Sequence, residues 1–259
     1  MNAPAGRLEA YAADSSLKGK LRRRWSRLVE RRTARFKLEA PIVSFSFDDI
    51  PATAAEAGAA LLDAAGVKGT FYVCAGLCGR SGPMGVFASE PQIQALAQAG
   101  HEIGCHTFGH LDCGQADPNQ IAGEAEVNAA ALASLGLPRA RTFAYPYGDV
   151  SPAAKRALSS RFRALRGLHA GLVEDGADLN QTPAVGIEGP DGEATARAWL
   201  QRAVMRKAWL ILYTHDVQPE PSAWGCTPEA LARLVADAQA FGCEIRTVDD
   251  ALNRIGAAA

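Results

Sequence analysis

The sequence lacks the features that would place the chain in a membrane or outside the cell. It has no apolar run of about eighteen residues, the minimum for a membrane-spanning helix. Its first sixteen residues are polar and rich in alanine, and no basic start is followed by an apolar stretch, so they do not read as a secretory leader. We therefore expect a cytoplasmic protein.

Disulfides and cysteine-based metal sites are also not indicated. The six cysteines form no Cys-x-x-Cys pair. A chain of 259 residues with 48% apolar residues can bury a core without disulfides. We predict reduced and mostly buried thiols.

After residue 40 the sequence alternates short β-rich runs with helical stretches. The β-rich runs, in chain order, are IVSFSF, GTFYV, HEIGC, RTFAY, FRALRGL, PAVGI, AWLILYTH and CEIRT. This alternation predicts an α/β fold with a parallel sheet, either open or closed into a barrel. Length and strand number favour a (β/α) barrel at residues 41–259, preceded by a basic N-terminal helical extension at residues 1–40.

Acidic and histidine side chains follow three of these runs. Asp48 and Asp49 close SFSF, His106 and His110 follow HEIGC, and His215 follows LILYT. An isolated acidic pair is more often a solvated turn or a helix start. In a parallel sheet, however, the carboxyl ends of the strands meet at one edge, so the sequence predicts that these side chains converge.

The convergence predicts a metal-dependent hydrolase. His106 and His110 are four residues apart and share a face if the segment turns helically after its strand. Two neutral imidazoles and one carboxylate are the usual protein ligands of a catalytic zinc site, which keeps one position for water. A histidine at another strand end, His215, is suited to general-acid work.

With these motifs in order, the chain resembles the polysaccharide deacetylase family over roughly residues 41–252. SFDDI, GHEIGCHTFGH, FAYPYG and LILYTHD are similar to four of the family's motifs. The resemblance implies a distorted (β/α) barrel with about seven parallel strands. It also implies removal of N-acetyl groups from N-acetylglucosamine-type residues of a bacterial exopolysaccharide or its lipid-linked precursor.

The resemblance also assigns roles to the site residues. Asp49, His106 and His110 are implied to bind a divalent metal, foremost Zn²⁺, with Co²⁺ or another divalent ion as alternatives. Asp48 is implied to be the general base and His215 the general acid. The backbone N–H of Tyr147 is implied to stabilise the oxyanion.

Several aromatic residues are available to line a sugar groove, because sugars stack their apolar faces on such rings. The predicted substrate-binding residues are Tyr145, Tyr147, Tyr213 and Trp224. Trp199, on a helix, and Trp209, on an apolar strand, are expected in the core instead.

The chain departs from the family pattern at two places. Ala144 stands where the family often carries an arginine that orients the base, and the nearest replacements in sequence are Arg163 and Arg166. No aspartate is identified as the partner of His215. Three lie in the appropriate interval, namely Asp175, Asp178 and Asp191.

The N-terminal segment is strongly basic, with ten Lys or Arg between residues 17 and 37 against one acid, Glu30. It reads as a helix with an apolar stripe formed by Leu17, Leu21, Trp25 and Leu28. Three roles are open: peripheral contact with an anionic inner-membrane surface, pairing in a homodimer, or capping of the barrel. Nucleic-acid binding is not indicated, because no recognisable module accompanies the charge.

Two other functions remain open at the level of sequence. The first is an amidase or imidase of small nitrogen compounds on the same scaffold. The second is a catalytically silent glycan-binding scaffold, which Ala144 and the unassigned partner of His215 suggest. Retention of the three ligands and of both acid/base residues favours the polysaccharide deacetylase.

Overall fold

The computed structural model describes residues 16–257. The helices in this part of the chain are α1 (Leu17–Ser26), α2 (Ala59–Ala64), α3 (Glu90–Gln98), α4 (Pro118–Ser134), α5 (Pro152–Ser159), α6 (Gly192–Arg206), α7 (Pro228–Ala240) and α8 (Val248–Arg254). A π-helical turn at Ala54–Gly58 leads into α2, and 3-10 turns lie at Ala75–Leu77 and Pro146–Gly148.

The strands are short apart from two at the centre of the sheet. They are β1 (Ile42–Asp48), β2 (Thr70–Val73), β3 (Ser81–Gly82), β4 (Gly85–Val86), β5 (Glu102–Cys105), β6 (Thr142–Ala144), β7 (Ala164–Arg166), β8 (Val185–Gly186), β9 (Trp209–Thr214) and β10 (Glu244–Ile245). β3 and β4 form a separate antiparallel hairpin.

The main sheet is a curled parallel sheet centred on β1. Its order is β7-β6-β5-β2-β1-β9-β8, and β10 pairs with the first residues of β1. Every position of β1 is buried, which fits its continuous apolar run, because a parallel strand is covered on both faces. Thr182, just before β8, bridges to Arg166 in β7, so the two edges of the sheet approach each other. This architecture confirms the predicted distorted (β/α) barrel.

Aromatic side chains fill much of the core around β1. Phe47 stacks on Phe71 with ring centroids 4.6 Å apart. Trp209 is fully buried and its indole N–H donates to the Ser44 hydroxyl at 2.9 Å, as predicted for a core residue. Trp199 is half-buried beneath the Arg202 guanidinium. All six cysteines are unpaired thiols, as predicted, and four of them are buried.

Local sequence signals mark both ends of α7. The Thr227 hydroxyl accepts a hydrogen bond from the Ala230 N–H at 3.2 Å, and Pro228 occupies the first turn of α7. Beyond the end of α7, Gly242 adopts φ 71°, the left-handed conformation that glycine tolerates best.

The basic N-terminal segment departs from the long helix that its pattern predicts. α1 ends at Ser26, and Glu30 adopts a left-handed φ of 51°. Tertiary hydrogen bonds compete with continuation of the helix, because the fully buried Lys155 ammonium donates to the carbonyls of Ser26 and Val29, both at 2.6 Å. Further along, Ala34 and Leu38 are buried in the barrel core.

None of the helices within residues 16–257 combines the length and the apolar character that crossing a membrane requires.

Candidate metal and catalytic site

The predicted ligands lie together at the carboxyl end of the sheet. Asp49 follows β1 and His106 follows β5, with His110 in the loop beyond. The Asp49 Oδ1 atom is 3.5 Å from His106 Nε2 and 3.2 Å from His110 Nε2. Among the described residues these three form the group of ligand atoms that could hold a metal ion.

The spacing of these atoms fits a divalent cation. Zinc bonds of about 2.0–2.2 Å with tetrahedral angles place neighbouring ligand atoms about 3.3 Å apart. Both measured separations lie close to that value. Asp49, His106 and His110 would therefore hold such an ion, with water or substrate as a further ligand.

The histidines are held in the form that metal binding requires. The Nδ1 atom of His106 lies 2.8 Å from the Ala144 carbonyl, which fixes the tautomer with a proton on Nδ1 and a lone pair on Nε2. Burial lowers the pKa of His106 and of His110 to about 4. Both imidazoles are therefore neutral at pH 7 and can offer that lone pair.

The loop that carries the two histidines is not helical, so the conditional prediction of a helical turn is wrong. Thr107 and His110 adopt left-handed φ values of 63° and 59°. The Glu124 carboxylate in α4 holds the loop by accepting from the N–H groups of Phe108 at 3.0 Å and Gly109 at 2.7 Å. These contacts, and not helical periodicity, bring His106 and His110 to one side.

Backbone strain is concentrated around this site. Seven non-glycine residues within the described ranges have positive φ, and five of them lie in three loops of the site: Asp49, Ile50, Thr107, His110 and Tyr147. Such conformations cost about 1–3 kcal/mol each and persist where surrounding structure enforces them. At the turn after β1, Asp49 lies against His110 while Asp48 contacts Arg166.

Asp48 is held by Arg166 and not by a residue at position 144. The Arg166 Nη2 atom donates to both Asp48 oxygens at 2.5 Å, and Arg166 is fully buried. Burial alone raises the pKa of Asp48, yet the Arg166 charge and the nearby His106 bring it below its usual value. The guanidinium also lies over the rings of Tyr72 and Tyr213, 5.1 and 5.3 Å from their centroids.

Of the two arginines considered from sequence, Arg163 lies elsewhere. Its guanidinium donates to the Asp249 carboxylate at 2.5 Å and to the Asn253 side chain at 2.8 Å. Arg163 precedes β7, whereas Arg166 ends it. Position at the carboxyl end of a strand therefore distinguishes the site arginine from the structural one.

His215 contacts a glutamate that the sequence analysis did not consider. Its Nδ1 atom lies 3.1 Å from the Trp224 carbonyl and 3.8 Å from the Glu188 carboxylate, and the Tyr213 hydroxyl donates to Glu188 at 2.9 Å. With Nδ1 facing these acceptors, Nε2 remains for proton transfer. Glu188 follows the short strand β8, so the strand-end rule that singled out Asp48 would have found it.

The three aspartates considered as partners of His215 have other contacts or positions. Asp175 pairs with Arg35 at 3.1 Å, and Asp178 pairs with Lys155 at 2.6 Å. Asp191 immediately precedes α6. Among the described residues, the carboxylate nearest to His215 in an ion-pair contact is that of Glu188, at 3.8 Å.

The four aromatic residues predicted to bind sugar have different environments. Tyr147 is half-buried, and its ring edge packs on His110 with centroids 4.3 Å apart. Trp224 is half-buried and packs against a small apolar cluster that includes Phe87. Tyr145 is fully buried and its hydroxyl donates to the Asn180 carbonyl at 3.2 Å, so its ring offers no face to a sugar. Tyr213 is buried between Arg166 and Glu188.

Comparison with known proteins confirms the family resemblance. Residues 36–161 match the model of the family described as polysaccharide deacetylase. No match was found among curated proteins.

Solved structures with similar folds cover most of the chain. A family 4 acetyl xylan esterase from Clostridium thermocellum, solved with a cobalt ion, is 24% identical, with a TM-score of 0.60 and coverage of 84% of this chain and 93% of its own. The chitin deacetylase of the fungal pathogen Colletotrichum lindemuthianum is 15% identical, with a TM-score of 0.60 and coverage of 83% and 89%. The carbohydrate esterase domain of a xylanase from the hindgut metagenome of Trinervitermes trinervoides is 18% identical, with a TM-score of 0.60 and coverage of 84% and 92%.

Proposed function

From its place in the polysaccharide deacetylase family, we propose that this chain is a metal-dependent hydrolase that removes N-acetyl groups from N-acetylglucosamine-type residues of a bacterial exopolysaccharide or its lipid-linked precursor. One observation carries the proposal. The Asp49, His106 and His110 cluster lies beside the Arg166-bound carboxylate of Asp48, and His215 follows Thr214, which pairs with Phe47 directly before Asp48. The proposed metal ligands, the proposed base and the proposed acid thus lie at the same edge of the sheet.

Each residue has a role in amide hydrolysis. Asp49, His106 and His110 would hold a divalent ion, which would acidify a bound water and polarise the acetamide carbonyl. The Asp48 carboxylate accepts the water proton, and Arg166 keeps that carboxylate ionised and oriented. His215 delivers a proton from Nε2 to the leaving nitrogen, while the Tyr147 N–H donates to the developing oxyanion.

The leaving group separates the amide reaction from the ester reaction. An amine leaves poorly unless it is protonated, whereas an alkoxide needs less help, so a positioned acid such as His215 favours N-acetyl substrates. The similar structures include both a chitin deacetylase and an acetyl xylan esterase. The substrate must therefore be tested directly for both bond types.

The experiment is acetate release by the purified full chain from N-acetylglucosamine oligomers, from acetylated xylan and from a small amide, with and without added Zn²⁺ or Co²⁺. We expect release from the oligomers that dipicolinate abolishes and Zn²⁺ restores. Turnover of the small amide alone contradicts the proposal and favours the small-molecule amidase. Silence on all substrates with metal bound favours a glycan-binding scaffold.

Glu188→Gln is expected to lower kcat by about tenfold at pH 7 while leaving KM and bound metal unchanged. The reason is that the Glu188 carboxylate, 3.8 Å from His215 Nδ1, orients the imidazole for proton transfer. Steady-state kinetics and metal analysis check this. Tyr213→Phe is the matched control, because it removes the hydrogen bond to Glu188 but keeps the charge, and we expect a smaller decrease. Equal kcat values for Glu188→Gln and wild type would contradict a role for Glu188 in the reaction.

We propose further that the enzyme works in the cytoplasm and that α1 contacts the anionic inner-membrane surface. Leu17, Leu21, Trp25 and Leu28 are between 59% and 78% exposed, and basic residues flank them in the sequence. An exposed apolar stripe beside cationic side chains fits lipid headgroups. A glycan assembled on a lipid carrier is presented at such a surface.

Trp25→Ser is expected to weaken flotation with phosphatidylglycerol vesicles by about tenfold, because the indole loses its buried contact with lipid. Met205→Ser is the matched control, since Met205 is 76% exposed on α6 and lies outside the stripe. Equal flotation of both variants contradicts the membrane contact. A doubled mass by light scattering that Trp25→Ser abolishes, without flotation of the wild type, identifies the stripe as a homodimer interface instead.

A further inference from the structure

A second cavity lies apart from the metal site, between the segment that follows α1 and the chain from residue 169 to 183. Its volume is about 220 Å³. None of the metal ligands or acid/base residues lines it, and the polar side chains that do are Arg27, Arg31, His169, Asp178 and Gln181. The chemistry of this lining, and not that of the catalytic site, decides what the cavity can bind.

The lining carries net positive charge. Asp178 is its one acid, and its carboxylate already accepts from the Lys155 ammonium at 2.6 Å and from the Arg32 backbone N–H at 2.9 Å. The Arg31 Nη2 atom donates to the neutral Gly176 carbonyl at 2.7 Å, so within residues 16–257 neither Arg27 nor Arg31 has an acidic partner. Partial burial and the neighbouring charges of Arg23 and Arg24 lower the pKa of Arg27, so the surroundings of this guanidinium are electropositive as well.

Two neutral polar side chains, His169 and Gln181, also line the cavity. Within residues 16–257, His169 Nδ1 and Gln181 Oε1 are buried without a hydrogen bond. Rotation of the Gln181 amide would present its NH₂ group in place of the oxygen, and neutral His169 carries one N–H donor. Both side chains can therefore donate to an anion.

We infer that this cavity binds a phosphate group, with the Arg27 and Arg31 guanidiniums as its charged donors and His169 and Gln181 as neutral ones. Arginine suits phosphate because its planar fork donates two hydrogen bonds in parallel. The volume accommodates a phosphate group together with part of the group that carries it. This inference does not depend on the proposed deacetylase activity.

Phosphate can come from two sources here, a soluble phosphate ester or a lipid headgroup. Arg27 directly precedes Leu28, a member of the exposed apolar stripe. A headgroup entering the cavity would therefore leave its acyl chains near that stripe. The shared chemistry is the phosphate anion, and the two sources are separated by experiment.

The test is calorimetric titration of the full chain with inorganic pyrophosphate, repeated with Arg27→Gln and with Arg24→Gln. Arg24 belongs to the same segment and carries the same charge but does not line the cavity. Because a charge-assisted bond to phosphate is among the stronger hydrogen bonds, we expect Arg27→Gln to weaken binding by about tenfold or more and Arg24→Gln by less than about threefold. Both residues are exposed, and unchanged melting temperatures establish that the variants fold.

A second arm uses phosphatidylcholine vesicles with and without phosphatidic acid. Pyrophosphate binding alone, with the expected difference between the variants, identifies a soluble ester. Vesicle binding that Arg27→Gln reduces more than Arg24→Gln identifies a headgroup, and either result supports the site. Equal weakening by the two variants, or no pyrophosphate or phosphatidic acid binding by the wild type, overturns it. Because the readout is binding, this result is independent of whether acetate is released.

Discussion

Replacing Asp48 with asparagine is expected to lower the rate of acetate release by about 10²- to 10⁴-fold while the metal stays bound. Asparagine has nearly the same shape but cannot accept the proton from the attacking water. The metal should remain because its proposed ligands are Asp49, His106 and His110, whose side chains are unchanged. Steady-state kinetics together with metal content per chain measure the two effects separately.

The matched control for this prediction is His106→Ala, which is expected to lose both turnover and metal. Loss of metal from Asp48→Asn as well would reassign Asp48 to the ligand set. Acetate release from Asp48→Asn within about threefold of wild type would remove it from the base role, since general-base catalysis contributes at least about 10²-fold. Melting temperature must be followed too, because Arg166 loses its charged partner in this variant.

Arg166→Met is expected to lower the free energy of unfolding by about 3–5 kcal/mol and kcat by about 100-fold. The loss of stability arises because the Asp48 carboxylate, which is 2% exposed, is left as an uncompensated buried charge. The loss of rate arises because Arg166 no longer orients the Asp48 carboxylate for proton transfer. Urea unfolding and steady-state kinetics measure the two quantities.

Arg163→Met provides the control for Arg166→Met. Arg163 is also buried and also ion-paired, but its partner is Asp249, away from the metal ligands. The Arg163→Met variant should lose stability while keeping the wild-type kcat. Arg166→Lys should restore part of the rate. The double variant Asp48→Asn/Arg166→Met should be more stable than Arg166→Met alone, because it removes both charges. An equal decrease in kcat for Arg163→Met and Arg166→Met would contradict the positioning role.

The fold was predictable because its signals are local and repeated. The β1 run, the cap at Thr227 and the glycine at 242 each depend on a few neighbouring residues, and all agree with a βα alternation. The 17–37 segment shows where local pattern is insufficient. Its periodicity is helical throughout, but the helix ends at Ser26 because Lys155, distant in sequence, binds carbonyls of the following turn.

Most residues of the site were predictable because they stand at the carboxyl ends of strands. At two places a residue from another part of the chain supplies the group that the motif has at a fixed position. Position 144 supplies a backbone carbonyl to His106, while the charge that holds Asp48 comes from Arg166 on the next strand. Glu188 likewise takes the place sought for an aspartate beside His215. A motif search fixes a role to a sequence position, whereas the fold can supply the same charge from any strand that ends nearby.

The N-terminal helix is also fastened to the loop that carries Tyr147. Arg22 donates to the fully buried Asp149 carboxylate at 2.5 Å, and the Ser26 hydroxyl donates to the Val150 carbonyl at 3.0 Å. Cutting away this helix would strip Asp149 of its counterion two residues from Tyr147. A truncated enzyme that fails to release acetate therefore says nothing about membranes. Point changes on the outer face of α1 are the cleaner genetic tool, and a fusion partner or affinity tag is better attached ahead of the helix than in place of it.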